Sequence, residues 1–175
     1  VAIARYLETV YPEPNMLGRD AREVAVIEMW TRRVENLLGT PLMLSVRHTH
    51  PALAALDTQI PAIAETNMAA AGRAMKVFDR QLAKTEFLAG DRVTMADVVA
   101  ATSIDFARMI KFTIPSELTH LNRWYDAMMV SLRVCGMIVS RNSAPSTAFT
   151  VRLVPSTVIE PLRAMYLASS FGARM

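Results

Sequence analysis

Gly90-Asp91-Arg92-Val93-Thr94-Met95-Ala96-Asp97 encodes the start of a helix twice over. Thr94 stands where an N-cap side chain meets the backbone N–H three residues on. Asp97, third in the helix, reaches back to the N–H of Thr94. Val93 before the cap and Val98 after it have the spacing of a hydrophobic staple. Gly90-Asp91 supplies the tight turn that delivers the chain to the cap. Taken alone, the motif marks a helix N-terminus and serves folding.

The segments around it are helical too. From Met95 to about Ile110 the apolar residues Val98, Val99, Ala101, Ile104 and Met109 leave almost no polar face, the pattern of a helix buried among others. Upstream, Met68, Ala71, Met75, Phe78 and Leu82 recur at spacings of three and four. From about Asp20, so do Val24, Ile27, Val34, Leu37 and Leu38. Gly39-Thr40-Pro41 is expected to kink or break that helix, because proline lacks the N–H and clashes one turn back. Residues 51–67, Ala-rich with Pro51 and Pro61, read as a connection with short helical pieces. Leu118, Leu121, Trp124, Tyr125 and Met128 mark a last amphipathic helix. Residues 1–10 read as a short helix stopped by Tyr11-Pro-Glu-Pro14. Strand alternation, a glycine-rich nucleotide loop and long-period repeats are absent from the sequence, so the expected fold class is all-α.

Bulk composition narrows the classes further. A chain of 175 residues at 52% hydrophobic and 20% charged is one domain's worth with room for a core. A single cysteine, Cys135, excludes an internal disulfide. No signal-peptide pattern opens the chain, and no apolar run is long enough to span a bilayer, so a cytoplasmic, non-membrane protein is expected. The net charge of +3 is uneven. Residues 133–175 hold five arginines against Glu160, whereas the rest of the chain is nearly neutral. Without a basic helix interleaved with aromatics, no nucleic-acid partner is expected.

Three stretches carry a family resemblance. Met75-Lys-Val-Phe-Asp-Arg-Gln-Leu-Ala-Lys-Thr-Glu-Phe-Leu-Ala-Gly-Asp-Arg-Val-Thr-Met-Ala-Asp97 resembles the C-terminal helical domain of the cytosolic glutathione transferases. Val1-Ala-Ile-Ala-Arg-Tyr-Leu-Glu8 looks like the last helix of that family's thioredoxin-like domain. Glu28-Met-Trp-Thr-Arg-Arg-Val-Glu35 and Arg47-His-Thr-His-Pro51 look like a bacterial and fungal subgroup. The resemblance covers about residues 1–134 and implies a glutathione transferase C-terminal-like helical bundle. It divides the chain into a remnant last helix of the thioredoxin-like domain (1–12), a linker (13–18), the helical domain (19–133) and an atypical basic Ser/Thr/Pro-rich tail (134–175), read as a non-family extension.

The resemblance also implies a chemistry. Family members stabilise the thiolate of glutathione, the true nucleophile, using groups of the thioredoxin-like domain. The Glu-Ser pair that holds the γ-glutamyl end aligns just before Val1, so the chain itself is expected to be inactive. The helical domain supplies an apolar cleft for a hydrophobic electrophile. By resemblance, Arg33, Asn36 and Thr40 line it from the first long helix, His48 from its edge, and Phe106 and Ile110 from the capped helix. Each has a second reading: solvated helix face for Arg33 and Asn36, plain core for Phe106 and Ile110, a surface or hydrogen-bonded structural histidine for His48. His48 and His50 lack an evident third ligand, so no metal site is expected. Trp30 and Trp124 read as core or interface anchors, and Cys135 as an incidental thiol. The complete protein is expected to be a homodimer that uses glutathione. The alternative is a non-catalytic interaction module of the kind found in translation and tRNA-synthetase assemblies.

Overall fold

The computed structural model describes residues 2–134, with the side chains of Arg133 and Val134 left out. The tail from 135 onward, including Cys135, lies outside the described residues. Six α-helices follow in order: α1 (Ala2–Val10), α2 (Ala21–Val34), α3 (Thr40–Arg47), α4 (Pro61–Leu82), α5 (Met95–Ala107) and α6 (Thr119–Val134). Single 3₁₀ turns occupy Pro51–Leu53 and Arg108–Ile110. The only strand-like feature among the described residues is an isolated bridge, Phe87 to Gly90, inside the turn before α5. The all-α expectation holds.

The described residues divide into two units, Met16–Asp126 and residues 2–15 with 127–134. In the first unit α2 packs on α5, and α3 packs on both α4 and α5. The core there gathers Ile27, Val34, Leu38, Leu42, Phe78, Leu82, Leu88, Ile104, Leu121 and Trp124, all almost fully buried. As its sequence suggested, α5 is buried on nearly every side. In the second unit α1 buries none of its side chains, and Ile3, Tyr6 and Val10 stand exposed on one helical stripe.

Two expectations about boundaries change. The helix does not break at Gly39-Thr40-Pro41. It runs without interruption from Ala21 to Arg47 through a π-helical turn at Glu35–Gly39, in which the Thr40 N–H bonds the Glu35 carbonyl. One extra residue in the turn gives the proline a place in the first turn of α3, where its missing N–H costs least. Residues 61–67 are not connection either. Pro61 opens α4 at its first position, a site for which its fixed φ is already suited.

The stretch between Asn15 and α2 is tightly docked. Met16 and Leu17 are buried, and the Met16 carbonyl accepts the N–H of Met95, one of the four N–H groups at the start of α5 without a helical partner. Gly18 sits at φ 118°, and a Cβ there would come within 2.5 Å of the Val24 backbone nitrogen. A glycine is required at that approach.

Candidate functional site

Thr94 and Asp97 form the expected capping box. Val93 and Val98 are both buried, as a staple requires. Asp97 does more than cap. Its Oδ2 accepts the Thr94 backbone N–H at 3.0 Å and the Thr94 hydroxyl at 2.8 Å. Its Oδ1 accepts the Leu88 N–H at 2.9 Å and the Trp124 indole N–H at 3.0 Å. One fully buried carboxylate thus ties together the turn before α5, the cap and α6. Burial pushes the Asp97 carboxyl up, against the opposing pull of these four donors.

A second helix start is built the same way, and its signature, Asp20-Ala-Arg-Glu23, is visible in the sequence. Asp20 caps α2 by accepting the Glu23 N–H at 2.8 Å, while Glu23 Oε2 accepts the Arg19 N–H at 2.8 Å. Arg92 then bridges from the turn before α5 to Glu23 Oε1 at 2.6 Å. Burial works against the charge on Glu23, but the Arg19 N–H and the Arg92 guanidinium outweigh it and hold the carboxyl below its ordinary value.

Between these anchored starts, α2 and α5 approach closely where the π turn passes. A Cβ on Gly39 would stand 3.1 Å from the Ser103 Oγ, so the absence of a side chain brings the two backbones together. Ser103 is fixed by donating to the Val99 carbonyl at 2.7 Å. Phe106 and Ile110 lie three and seven residues beyond Ser103, on the same side of the helical run. Phe106 is 36% exposed in a helix most of whose apolar residues are buried, and Ile110 is half-buried. Asn36 and Thr40 flank Gly39 and are exposed. Sequence reasoning missed the close approach of Gly39 to Ser103. A glycine inside a helical run was the available signal.

Arg33 and His48 are placed differently. Arg33 is exposed, and its guanidinium lies 4.9 Å from the centre of the Trp30 ring, which packs edge-on against buried Phe78. His48 is half-buried, and its Nδ1 accepts the Ile60 N–H at 3.3 Å. That bond ties the end of α3 to the residue before α4. His50 likewise accepts the Ala52 N–H, capping the 3₁₀ turn. Among the described residues, no three His, Cys, Asp or Glu side chains gather as a metal site. No helix there is long and apolar enough to cross a membrane.

Residues 34–131 match the family described as glutathione S-transferase, C-terminal domain. The chain belongs to the glutathione S-transferase family. Its helical domain is similar to a solved glutathione S-transferase domain-containing protein of Marinobacter aquaeolei VT8, with 34% identity and a TM-score of 0.66 over 73% of this chain and 63% of that one. It is also similar to Gtt2 of Saccharomyces cerevisiae, with 28% identity and a TM-score of 0.69 over 73% and 62%. Among curated proteins, elongation factor 1-gamma 2 of Oryza sativa is 27% identical over 73% of this chain, which spans 30% of that protein. The match to the curated yeast glutathione S-transferase 2 spans 55% of its length.

Proposed function

We propose that this chain carries the electrophile-binding half of a cytoplasmic, homodimeric glutathione S-transferase of the detoxification type. The observation that carries this reading is the close approach of Gly39 to Ser103, one turn before the partly exposed Phe106 of α5. A hydrophobic electrophile would lie along Phe106 and Ile110, with Asn36 and Thr40 as polar partners on the opposing helix. Arg33 and His48 stand at the margins of that face. Residues 1–12 are assigned to the last helix of a thioredoxin-like domain. Glutathione would be held and its thiol activated mainly by that domain, through hydrogen bonds that favour the thiolate.

The test uses the chain as it stands. With glutathione and 1-chloro-2,4-dinitrobenzene it should give no conjugation above the uncatalysed rate. Binding of the conjugation product, read by tryptophan fluorescence, should weaken about tenfold in Phe106→Ala, since truncating a large aromatic contact costs about this much. Robust conjugation by the chain, or product binding indifferent to Phe106, would overturn the assignment.

A second reading is favoured by the elongation factor 1-gamma relatives, in which 27% and 24% identity extends over 73% of this chain. On that reading the helical domain is a docking module with no electrophile. Product binding at Phe106 separates the two.

A further inference from the structure

The exposed face of α4 carries Arg73, Lys76, Arg80 and Lys84 in a single row that continues past the end of the helix. At 1.5 Å rise per residue the row is about 16 Å long, with neighbours about 4.5–6 Å apart. None of the four meets a carboxylate among the described residues. Arg32 on α2 provides the contrast, gripped by Glu28 at 2.9 Å and Glu35 at 2.6 Å. On α4, Asp79 is half-buried and spent on the Leu121 N–H at 2.9 Å. The exposed acids nearest the row lie beyond its two ends, Glu65 more than two turns before Arg73 and Glu86 two residues after Lys84, and neither is paired with a cation of the row. Arg123 adds a fifth cation beside the end of α4, its guanidinium donating to the Leu82 carbonyl at 2.9 Å.

Each successive pair in the row places like charges three or four residues apart, an arrangement that works against the helix. The helix dipole explains cations in the last turn, and its influence does not reach back to Arg73 and Lys76. Several positions beside the row carry small residues. Ala69 and Ala83 are exposed, and a Cβ at Gly72 would meet nothing within 4 Å. Backbone-to-backbone approach of another helix is therefore open.

We propose that this face of α4 docks an acidic helix of a partner protein, with carboxylates repeating every three or four residues to match the cation spacing. Charge complementarity and pitch select this occupant. A nucleic-acid strand would call for aromatic stacking surfaces among the cations, and the exposed α4 face offers none. The surface is independent of the Gly39–Phe106 face, so it holds whether or not the protein conjugates glutathione.

The test is fluorescence anisotropy with a labelled alanine-rich helical peptide bearing glutamate at every fourth position. A proline-broken peptide of the same charge and a single-stranded oligothymidylate serve as comparison probes. The intact chain should prefer the helical peptide, with affinity falling as salt rises. Lys76→Glu with Arg80→Glu should weaken it about tenfold or more, whereas Arg22→Glu with Lys111→Glu, the same change in net charge at other exposed sites, should leave it within about twofold. Circular dichroism checks folding. If the charge reversal unfolds the chain, Lys76→Ala with Arg80→Ala replaces it and should weaken binding several-fold. Equal losses in both pairs, equal affinity for the broken peptide, or tighter binding of the oligothymidylate would overturn the proposal. So would a change of oligomeric state in the α4 variants, which would make the row a contact between copies of this chain.

Discussion

At Asp97, four donors from three separate stretches of chain meet two carboxylate oxygens, two donors to each. That arrangement is saturated, so replacing one oxygen with an amide sets an N–H₂ against N–H groups that need an acceptor. Asp97→Asn should cost roughly 2–4 kcal/mol, since stranding a buried donor costs about 1–3 kcal/mol. Thr94→Ala removes only part of the cap and should cost about 0.5–2 kcal/mol. Urea unfolding followed by tryptophan fluorescence checks the order of the two, and an Asp97→Asn variant as stable as the parent would contradict the account. Gly18→Ala should be as damaging as Asp97→Asn. The added methyl meets the Val24 backbone, which is held by the first bond of α2, and the residue must still adopt φ 118°. A loss above roughly 2 kcal/mol is expected.

The starts of α2 and α5 are anchored by different electrostatics, and this sets the response of the helical unit to acid. Glu23 is held below its ordinary value, so its stabilising contribution is complete above that value. It is lost as pH falls through the range where the folded carboxyl takes up a proton. Asp97 is shifted the other way. Its ionisation disfavours the fold as pH rises through the raised value, so it does not contribute to acid unfolding. As pH falls from about 5 toward about 3 the melting temperature should therefore drop with a component that Arg92→Gln removes. An unchanged acid limb in that variant would show that the Glu23–Arg92 bridge is not its source. Along the α2–α3 helix, the π turn lets the chain pass Pro41 while pressing Gly39 against Ser103. Gly39→Ala should push the α5 row outward and alter product binding more than stability, which calorimetry and fluorescence titration would separate.

Across the described chain, the two units differ in how they use apolar surface. Residues 16–126 hold most of the large core side chains, whereas α1 presents Ile3, Tyr6 and Val10 to solvent. An exposed apolar stripe of that kind favours association. The chain should self-associate in sedimentation runs, and Ile3→Ser with Tyr6→Ser should shift it toward monomer. A parent chain that stays monomeric at high concentration would argue against this. Much of the fold was legible because its signals are local. Cap residues, staple positions and three-to-four spacing act within one or two turns of chain, and so α5, α6 and the family resemblance followed from the order of residues. The continuous path through Gly39-Thr40-Pro41 was not legible. Whether a proline breaks a helix or is absorbed by a π turn depends on what packs against both sides. The same holds for the candidate site. The sequence placed Asn36, Thr40, Phe106 and Ile110 on two helical runs, but the close approach of those runs at Gly39 and Ser103, 64 residues apart in the chain, is a product of packing. The bond from Trp124 to Asp97 spans 27 residues. It turned the Gly90–Asp97 cap from a local device into the buried joint of the helical unit. Spacing along a chain encodes which way a side chain faces on its own helix, and the partner it finds there is chosen when the helices pack.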